Sequence, residues 1–290
     1  MSKNWSSYVQ GIRTLYSSRL VRFDNFFKDK YISVFEIPNT AAILDVGCGP
    51  GALCHSLKKW YPNSDITGLD FDENFIEFAK ECTTDVEFLT GDATSLPFAD
   101  STYDVTISNT VSEHIEPTKF YGEQYRVLKS GGICLMLSAR RGVTIHSDIV
   151  STPTVLEEEV WERVSSRIDE VRRDIKIARY AKNEQEHPLT MEEAGFHDVR
   201  VDHITLSLTP DDPRYSSELA HRMINSERDT DLDGILLIKH AASDLVTDDE
   251  LSEMQNSINA RYDKRIELYD SGKMLWDTNV VHTMVVRGIK

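Results

Sequence analysis

The sequence predicts an α/β fold built on a mostly parallel sheet, and three observations carry that prediction. Short apolar runs recur along residues 41–140, stretches of helical periodicity separate most of them, and the first run ends in a cluster of glycines. Repeated β-α units of this length put helices on both faces of a parallel sheet through right-handed crossovers.

In chain order, Tyr8 to Phe35 has no proline or turn cluster. It places Val9, Ile12, Leu15, Leu20, Phe23, Phe26, Phe27 and Tyr31 at mostly three- and four-residue spacings, which reads as one or two amphipathic helices. Pro38-Asn39-Thr40 breaks that pattern, and residues 41–46 form an apolar run expected to be a buried parallel strand. Further strands are expected at 65–69, 86–89, 105–108 and 133–137, with helices at 53–60, 73–82 and 121–128 and a helix stop at Gly131-Gly132.

Thr154 and Glu157 fit a capping box ahead of a long helix whose stripe is Leu156, Val160, Val164, Ile168, Val171 and Ile175. Ala194-Gly195-Phe196 ends a short helix, and residues 199–208 alternate as a sixth strand. Thr247 and Glu250 form a second capping box, with Leu251, Met254, Ile258, Tyr262 and Ile266 on one face and Gly272 as a stop. Residues 279–286 close the chain as the last strand. The count is a seven-stranded, mostly parallel sheet with an antiparallel last strand, N-terminal helices and a helical insertion. The expected organisation is an N-terminal helical segment over 1–40, a core of 41–209 with 276–290, and an insertion at 210–275 that is a candidate lid.

The 290 residues are 40% hydrophobic and 28% charged, the balance of a globular protein. A formal net charge of −16 repels polyanions over most of the surface, so a nucleic-acid partner is not expected and a small molecule is. Residues 211–260 hold twelve Asp and Glu against four Lys and Arg, read as a solvated face. No run is long enough for a signal peptide or a membrane span, so a cytoplasmic protein with no membrane partner is expected. Cys48, Cys54, Cys82 and Cys134 show neither C-x-x-C nor metal-ligand spacing, which points to reduced thiols in or near the core and to no metal site.

The chemistry is concentrated in Asp45-Val46-Gly47-Cys48-Gly49-Pro50-Gly51, which follows a buried strand and precedes a helix. Glycines there let the backbone turn sharply and approach a ligand, and the helix N-terminus presents unpaired N–H groups. Nineteen residues past Gly51 stands Asp70, at the end of the second expected strand, where a carboxylate can accept from both hydroxyls of a ribose. Phe71 follows, placed either to cover an adenine ring or to fill the core.

These residues, with Gly68-Leu69-Asp70, Gly91-Asp92-Ala93, the run Leu96 to Asp104, Ile107-Ser108-Asn109, Glu113-His114-Ile115 and Val127 to Gly132, resemble the class I S-adenosylmethionine-dependent methyltransferases. Within that family they resemble the small-molecule branch that includes the ubiquinone and menaquinone C-methyltransferases, whose fold is Rossmann-like. The resemblance covers residues 41–139 and, more loosely, the Ala194-Gly195-Phe196 strand entry and the last strand. It implies S-adenosylmethionine as cofactor and methyl transfer to a small-molecule acceptor. Asp45 and the backbone of Gly47, Cys48, Gly49 and Gly51 would hold the cofactor's amino-acid end, Asp70 its ribose, and Asp92 with Ala93 its adenine. Asn109 would lie near the methyl group or cap its strand. His114 is the candidate base by motif position, with Glu113 and Tyr8 behind it, or else a helix cap.

Two other readings fit part of the same sequence. Gly47, Gly49 and Ala52 also satisfy the dinucleotide fingerprint with Asp70 as its acidic partner, which would make an NAD-dependent dehydrogenase; Tyr125 and Lys129 even give a Tyr-x-x-x-Lys spacing. That reading leaves Asp45 and Gly91-Asp92-Ala93 without a role. A non-catalytic protein that binds the same cofactor would carry the same motifs.

Overall fold

A run of apolar residues that begins after a proline has to be buried on both faces, and Ala42–Val46 (β1) is: all but its first residue are buried. Ahead of it come α1 (Trp5–Tyr8), α2 (Ile12–Arg22) and α3 (Lys28–Phe35). After it come α4 (Ala52–Trp60), β2 (Asp65–Asp70), α5 (Glu73–Cys82), β3 (Glu87–Thr90), β4 (Tyr103–Asn109) and α6 (Pro117–Val127). Then follow β5 (Leu128–Arg140), β6 (Thr144–Ile145), α7 (Val155–Asp174), α8 (Glu186–Glu193) and β7 (His197–Leu208). The chain closes with α9 (Ser217–Ala241), α10 (Asp248–Asp270) and β8 (Thr278–Ile289). This computed structural model describes residues 5–8, 11–140, 142–147, 150, 152–174 and 177–290, without the side chains of Ser7 and Tyr8. Val9, Ile175 and the Tyr8 side chain, all named in the sequence reading, lie outside the described residues.

The chain divides into two compact units. The first, Arg22–Arg141, Ile177–Leu206 and Val281–Lys290, carries the sheet. Its strand order is β3-β2-β1-β4-β5-β8, and β7 pairs with the other side of β8. β1 to β5 run parallel, with β1 between β2 (Val46 beside Leu69) and β4 (Asp45 beside Ile107). β8 enters antiparallel beside β5, from Ile133 against Ile289 to Arg140 against His282. Leu44, Val46, Leu69, Phe120, Leu128 and Met136 form the centre of its core.

The second unit, Met1–Val21, Gly142–Lys176 and Ser207–Val280, is mainly helical. Val160, Val164 and Ile168 of α7 meet Ile235 and Ile238 of α9 and Met254 and Ile258 of α10. Both capping boxes form: Thr154 with Glu157 ahead of α7, and Thr247 with Glu250 ahead of α10. Gly272 takes φ +78 just past α10, and the Lys273 amide reaches back to the Leu268 carbonyl, the bond that closes a Schellman cap. α7 belongs to this helical unit, whereas the sequence grouping places it with the core. Its stripe alone cannot say which surface it faces.

Four further features depart from the sequence reading. The sheet has eight strands rather than seven, because Thr144 and Ile145 pair with Asn279 and Thr278, a contact of two residues that leaves no alternation to detect. Gly131-Gly132 does not stop a helix. The helix ends at Val127 and the glycines lie inside β5, where the pairing to β4 shifts between Tyr103 and Val105. Of the one or two helices expected between Tyr8 and Phe35, two form, divided at Asp24, whose side chain accepts from the Phe26 amide; Phe26, placed on the apolar face by its spacing, is exposed. Cys82, at the end of α5, is exposed, unlike the three buried cysteines. No helix among the described residues is long and apolar enough to cross a membrane.

Removing the second capping box by Thr247→Ala should cost about 1 kcal/mol, read as a lower urea midpoint at unchanged slope. An unchanged midpoint would show that packing alone holds the start of α10.

Candidate active site

In open α/β sheets the crevice for a ligand lies outside the carboxyl ends of the strands, where the strand order reverses. Here the reversal is at β1, whose neighbours are β2 on one side and β4 on the other. The turn from Gly47 to Gly51 leaves β1 at that point. Gly47, Gly49 and Gly51 all take positive φ, at +75, +54 and +85. A Cβ on Gly47 would meet the Val111 side chain at 2.6 Å, and one on Gly51 would meet the Phe88 ring at 2.9 Å. Both conformation and space therefore require glycine.

The turn is anchored to β2. The Gly47 and Cys48 amides both donate to the Leu69 carbonyl, at 2.7 and 3.0 Å. Asp70 takes the next amides: Oδ2 accepts from Gly49 at 2.9 Å and Oδ1 from Asp72 at 2.9 Å. Asp72 in turn caps α5 through the Asn74 amide. Burial raises the Asp70 carboxyl above the ordinary carboxylate range, and the backbone amides of Asp72, Gly49 and Phe71 work against that rise.

Asp45 is buried in the same place, with 1% of its surface exposed. Its Oδ2 accepts from the Cys54 thiol at 3.2 Å, and its Oδ1 has no hydrogen-bond partner among the described residues. Burial, with Asp70 close by, pushes its carboxyl up to about 7. The same burial pushes the Cys48 thiol up to about 11, so this cysteine is an unreactive thiol.

The other expected site residues surround the same strand ends. The Gly91 amide donates to the Asp70 carbonyl at 2.9 Å and so draws the third strand's exit to β2. Asp92 is exposed and forms a turn, its Oδ1 accepting from the Thr94 amide and hydroxyl. Ala93 is buried in the core. Phe71 is 60% exposed, so it does not fill the core. Asn109 is the last residue of β4, and Val111 just beyond it is the side chain that fills the space beside Gly47.

His114 ends a short 3-10 turn after β4. Its Nδ1 accepts from the Ala178 amide at 2.9 Å, and the Glu113 carbonyl accepts from the Tyr180 amide at 2.8 Å. Burial lowers the imidazole to about 4. At neutral pH the ring is uncharged, and because Nδ1 is an acceptor its proton sits on Nε2. The geometry therefore opposes the general base expected from motif position. The sequence offered no sign of the 178–180 segment, which lies sixty-four residues away.

The methyltransferase domain family model matches residues 44–136. A ubiquinone/menaquinone biosynthesis C-methyltransferase of Desulfotalea psychrophila is 34% identical over 103 residues, 34% of this chain and 42% of that protein. A demethylmenaquinone methyltransferase of Staphylococcus aureus is 30% identical over 168 residues, 54% of this chain and 68% of that protein. The chain spans less than two thirds of the length of the first relatives, from 38% to 54%. The solved structure of Haemonchus contortus phosphoethanolamine N-methyltransferase 2 with S-adenosyl-L-methionine superposes with a TM-score of 0.55 at 18% identity, over 99% of this chain and 59% of that one. At that identity the likeness is one of fold.

The dehydrogenase reading loses its remaining support. Lys129 pairs with Asp104 at 2.8 Å, and the Tyr125 ring packs on Phe196, so the Tyr-x-x-x-Lys spacing is structural. With the glycine turn at the sheet's switch point and these similarities in sequence, the chain belongs to the class I S-adenosylmethionine-dependent methyltransferases.

Proposed function

We propose that the chain transfers a methyl group from S-adenosylmethionine to a small-molecule acceptor in the cytoplasm. The observation that carries this is the Asp45 carboxylate, buried beside the glycine turn with one oxygen lacking a partner among the described residues. A buried, half-satisfied carboxylate calls for a donor, and the ammonium of the cofactor's amino-acid end is one. The fit extends along the strand ends. Gly47, Gly49 and Gly51 let the backbone take the positive-φ turn that brings the strand end round to the start of α4. Asp70 accepts backbone amides on both oxygens and keeps lone-pair capacity for a ribose hydroxyl. The exposed Phe71 ring is available to cover an adenine, and Asp92, Ala93 and Asn109 complete the reading.

When bound, the cofactor supplies an activated methyl group on a sulfonium, so alignment of the acceptor does much of the catalytic work. The protein's task is to hold and orient. In this reading His114 is a neutral hydrogen-bond donor on a segment fixed by Ala178 and Tyr180, and it does not take the acceptor's proton. The relatives named as quinone-pathway methyltransferases make an aromatic, quinol-like ring the first acceptor class to try.

The direct test is release of S-adenosylhomocysteine from S-adenosylmethionine in the presence of such acceptors. Turnover supports the enzyme. Cofactor binding without turnover on any acceptor favours the non-catalytic reading. His114→Ala should lower kcat while leaving cofactor Kd unchanged, and the wild-type kcat/KM profile for the acceptor, measured with cofactor saturating, should show no inflection near the ordinary histidine value of about 6.5. An inflection there that disappears in His114→Ala would restore the base.

Asp45 gives a second test, with a definite sign. Its folded-state pKa lies above the unfolded value, so its contribution to stability is complete below about 4 and is lost as pH rises through about 7. Bound ammonium reverses the preference, because it attracts the ionised form. Cofactor affinity should therefore rise between pH ~6 and ~8, while the unliganded wild type loses stability relative to Asp45→Asn. Affinity that is flat with pH, or still pH-dependent in Asp45→Asn, would contradict this role.

A further inference from the structure

The connection from β3 to β4, residues 91–102, has no helix or strand of its own, so its backbone polar groups need partners from elsewhere. Its start is tied to β2 through the Gly91 amide. Its end is tied to α6, where the Ser101 and Thr102 amides donate to the Arg126 and Val127 carbonyls at 3.1 and 2.8 Å. Between these ties, one ion pair on α6 grips the loop. Glu123 Oε2 accepts from the Leu96 amide at 2.7 Å. Arg126 donates to the Leu96 carbonyl at 3.0 Å, the Phe98 carbonyl at 2.7 Å and Asp100 Oδ1 at 2.8 Å.

The grip needs an arginine. Nε and Nη2 make a two-pronged pairing with the Glu123 carboxylate, at 2.8 and 2.9 Å, while the rest of the same planar fork faces the loop. All five N–H donors of the guanidinium are thereby used. A lysine, with its donors on a single nitrogen, cannot span these acceptors.

The other end of the gripped stretch is Asp92. It begins a turn closed by the Ser95 amide, which donates to the Asp92 carbonyl at 3.0 Å, and Leu96 is the next residue along. Asp92 is exposed, and its Oδ1 is taken by the Thr94 amide and hydroxyl at 2.7 and 2.8 Å, which leaves Oδ2 for a ligand. A single carboxylate oxygen tells an amino group from a carbonyl only if it is held in place, because a turn free to shift would accommodate either. Granted that Asp92 meets the adenine, as proposed for the cofactor, we infer that Arg126 is a specificity-determining positioning residue. Its grip on Leu96 and Phe98 fixes the Asp92 turn, so that the carboxylate accepts from the amino group of an adenine and rejects a purine with a carbonyl in that place.

The test is calorimetric titration of the full chain with S-adenosylhomocysteine and with S-inosylhomocysteine, which carries a carbonyl where adenine has its amino group. The wild type should prefer the first by at least about tenfold, since the second sets a carbonyl oxygen against a carboxylate. Asp92→Asn, whose amide both accepts and donates, should bring the two affinities within about threefold. Arg126→Met, which keeps the length of the side chain and loses every donor, should do the same, and Arg126→Lys should give an intermediate ratio. If Arg126 served stability alone, its variants would melt at a lower temperature and bind both ligands less well, with the wild-type ratio intact. A wild-type ratio in Arg126→Met, or in Arg126→Lys where the first variant does not fold, overturns the positioning role; a preference lost in Asp92→Asn then still upholds the adenine assignment. No preference in the wild type, or one that survives in Asp92→Asn, overturns that assignment and the positioning role with it.

Discussion

Both oxygens of one buried carboxylate, Asp70, end on backbone amides, and the arrangement of the strand ends depends on it. One amide, Gly49, belongs to the turn after β1, and the other, Asp72, to the cap of α5. The carbonyl of the same residue receives the Gly91 amide from the exit of β3. Three separate segments thus meet on a single residue at the end of β2. A glycine turn has no side chains to fix its shape, so its geometry has to be imposed from outside. Asp70 and the Leu69 carbonyl impose it.

The arrangement carries an electrostatic penalty that bears on function. Asp45 and Asp70 are both buried; burial disfavours ionisation of Asp45, and the nearby Asp70 adds to it. Among the described residues neither pairs with an arginine or a lysine. A site with two acidic groups and one oxygen without a partner among the described residues is complementary to a ligand that brings an ammonium and hydroxyls. The Arg265 cluster in the helical unit treats buried charge differently: its carboxylates, Asp211 and Asp277, have their own cation.

Most of the sheet and of the glycine turn was legible because each rests on a local signal. A buried parallel strand needs a short continuous apolar run, a turn at positive φ needs glycine, and a capping box needs two residues three apart. The parts that were not legible depend on distant residues. Gly131 and Gly132 look like a helix stop, yet the register against β4 places them in a bulged strand. The stripe of α7 marks one apolar face without saying that α9 and α10 cover it. His114 reads as a base by position, and only the Ala178 amide on Nδ1 reveals which nitrogen holds its proton. No local signal marks Arg265, because burial of an arginine follows from where Asp211 and Asp277 come to lie. Phe71 was open between core and ligand, and its exposure decides against the core.

The central claim is that the turn around Asp45 and Asp70 is built for the sulfur cofactor. Calorimetric titration with S-adenosylmethionine, S-adenosylhomocysteine and NAD, on the wild type and on Asp70→Ala, tests it most directly. The account predicts binding of both sulfur compounds at about micromolar Kd, absence of NAD binding, and loss of at least about tenfold in the variant. Binding of NAD alone, or undiminished affinity in Asp70→Ala, would contradict it.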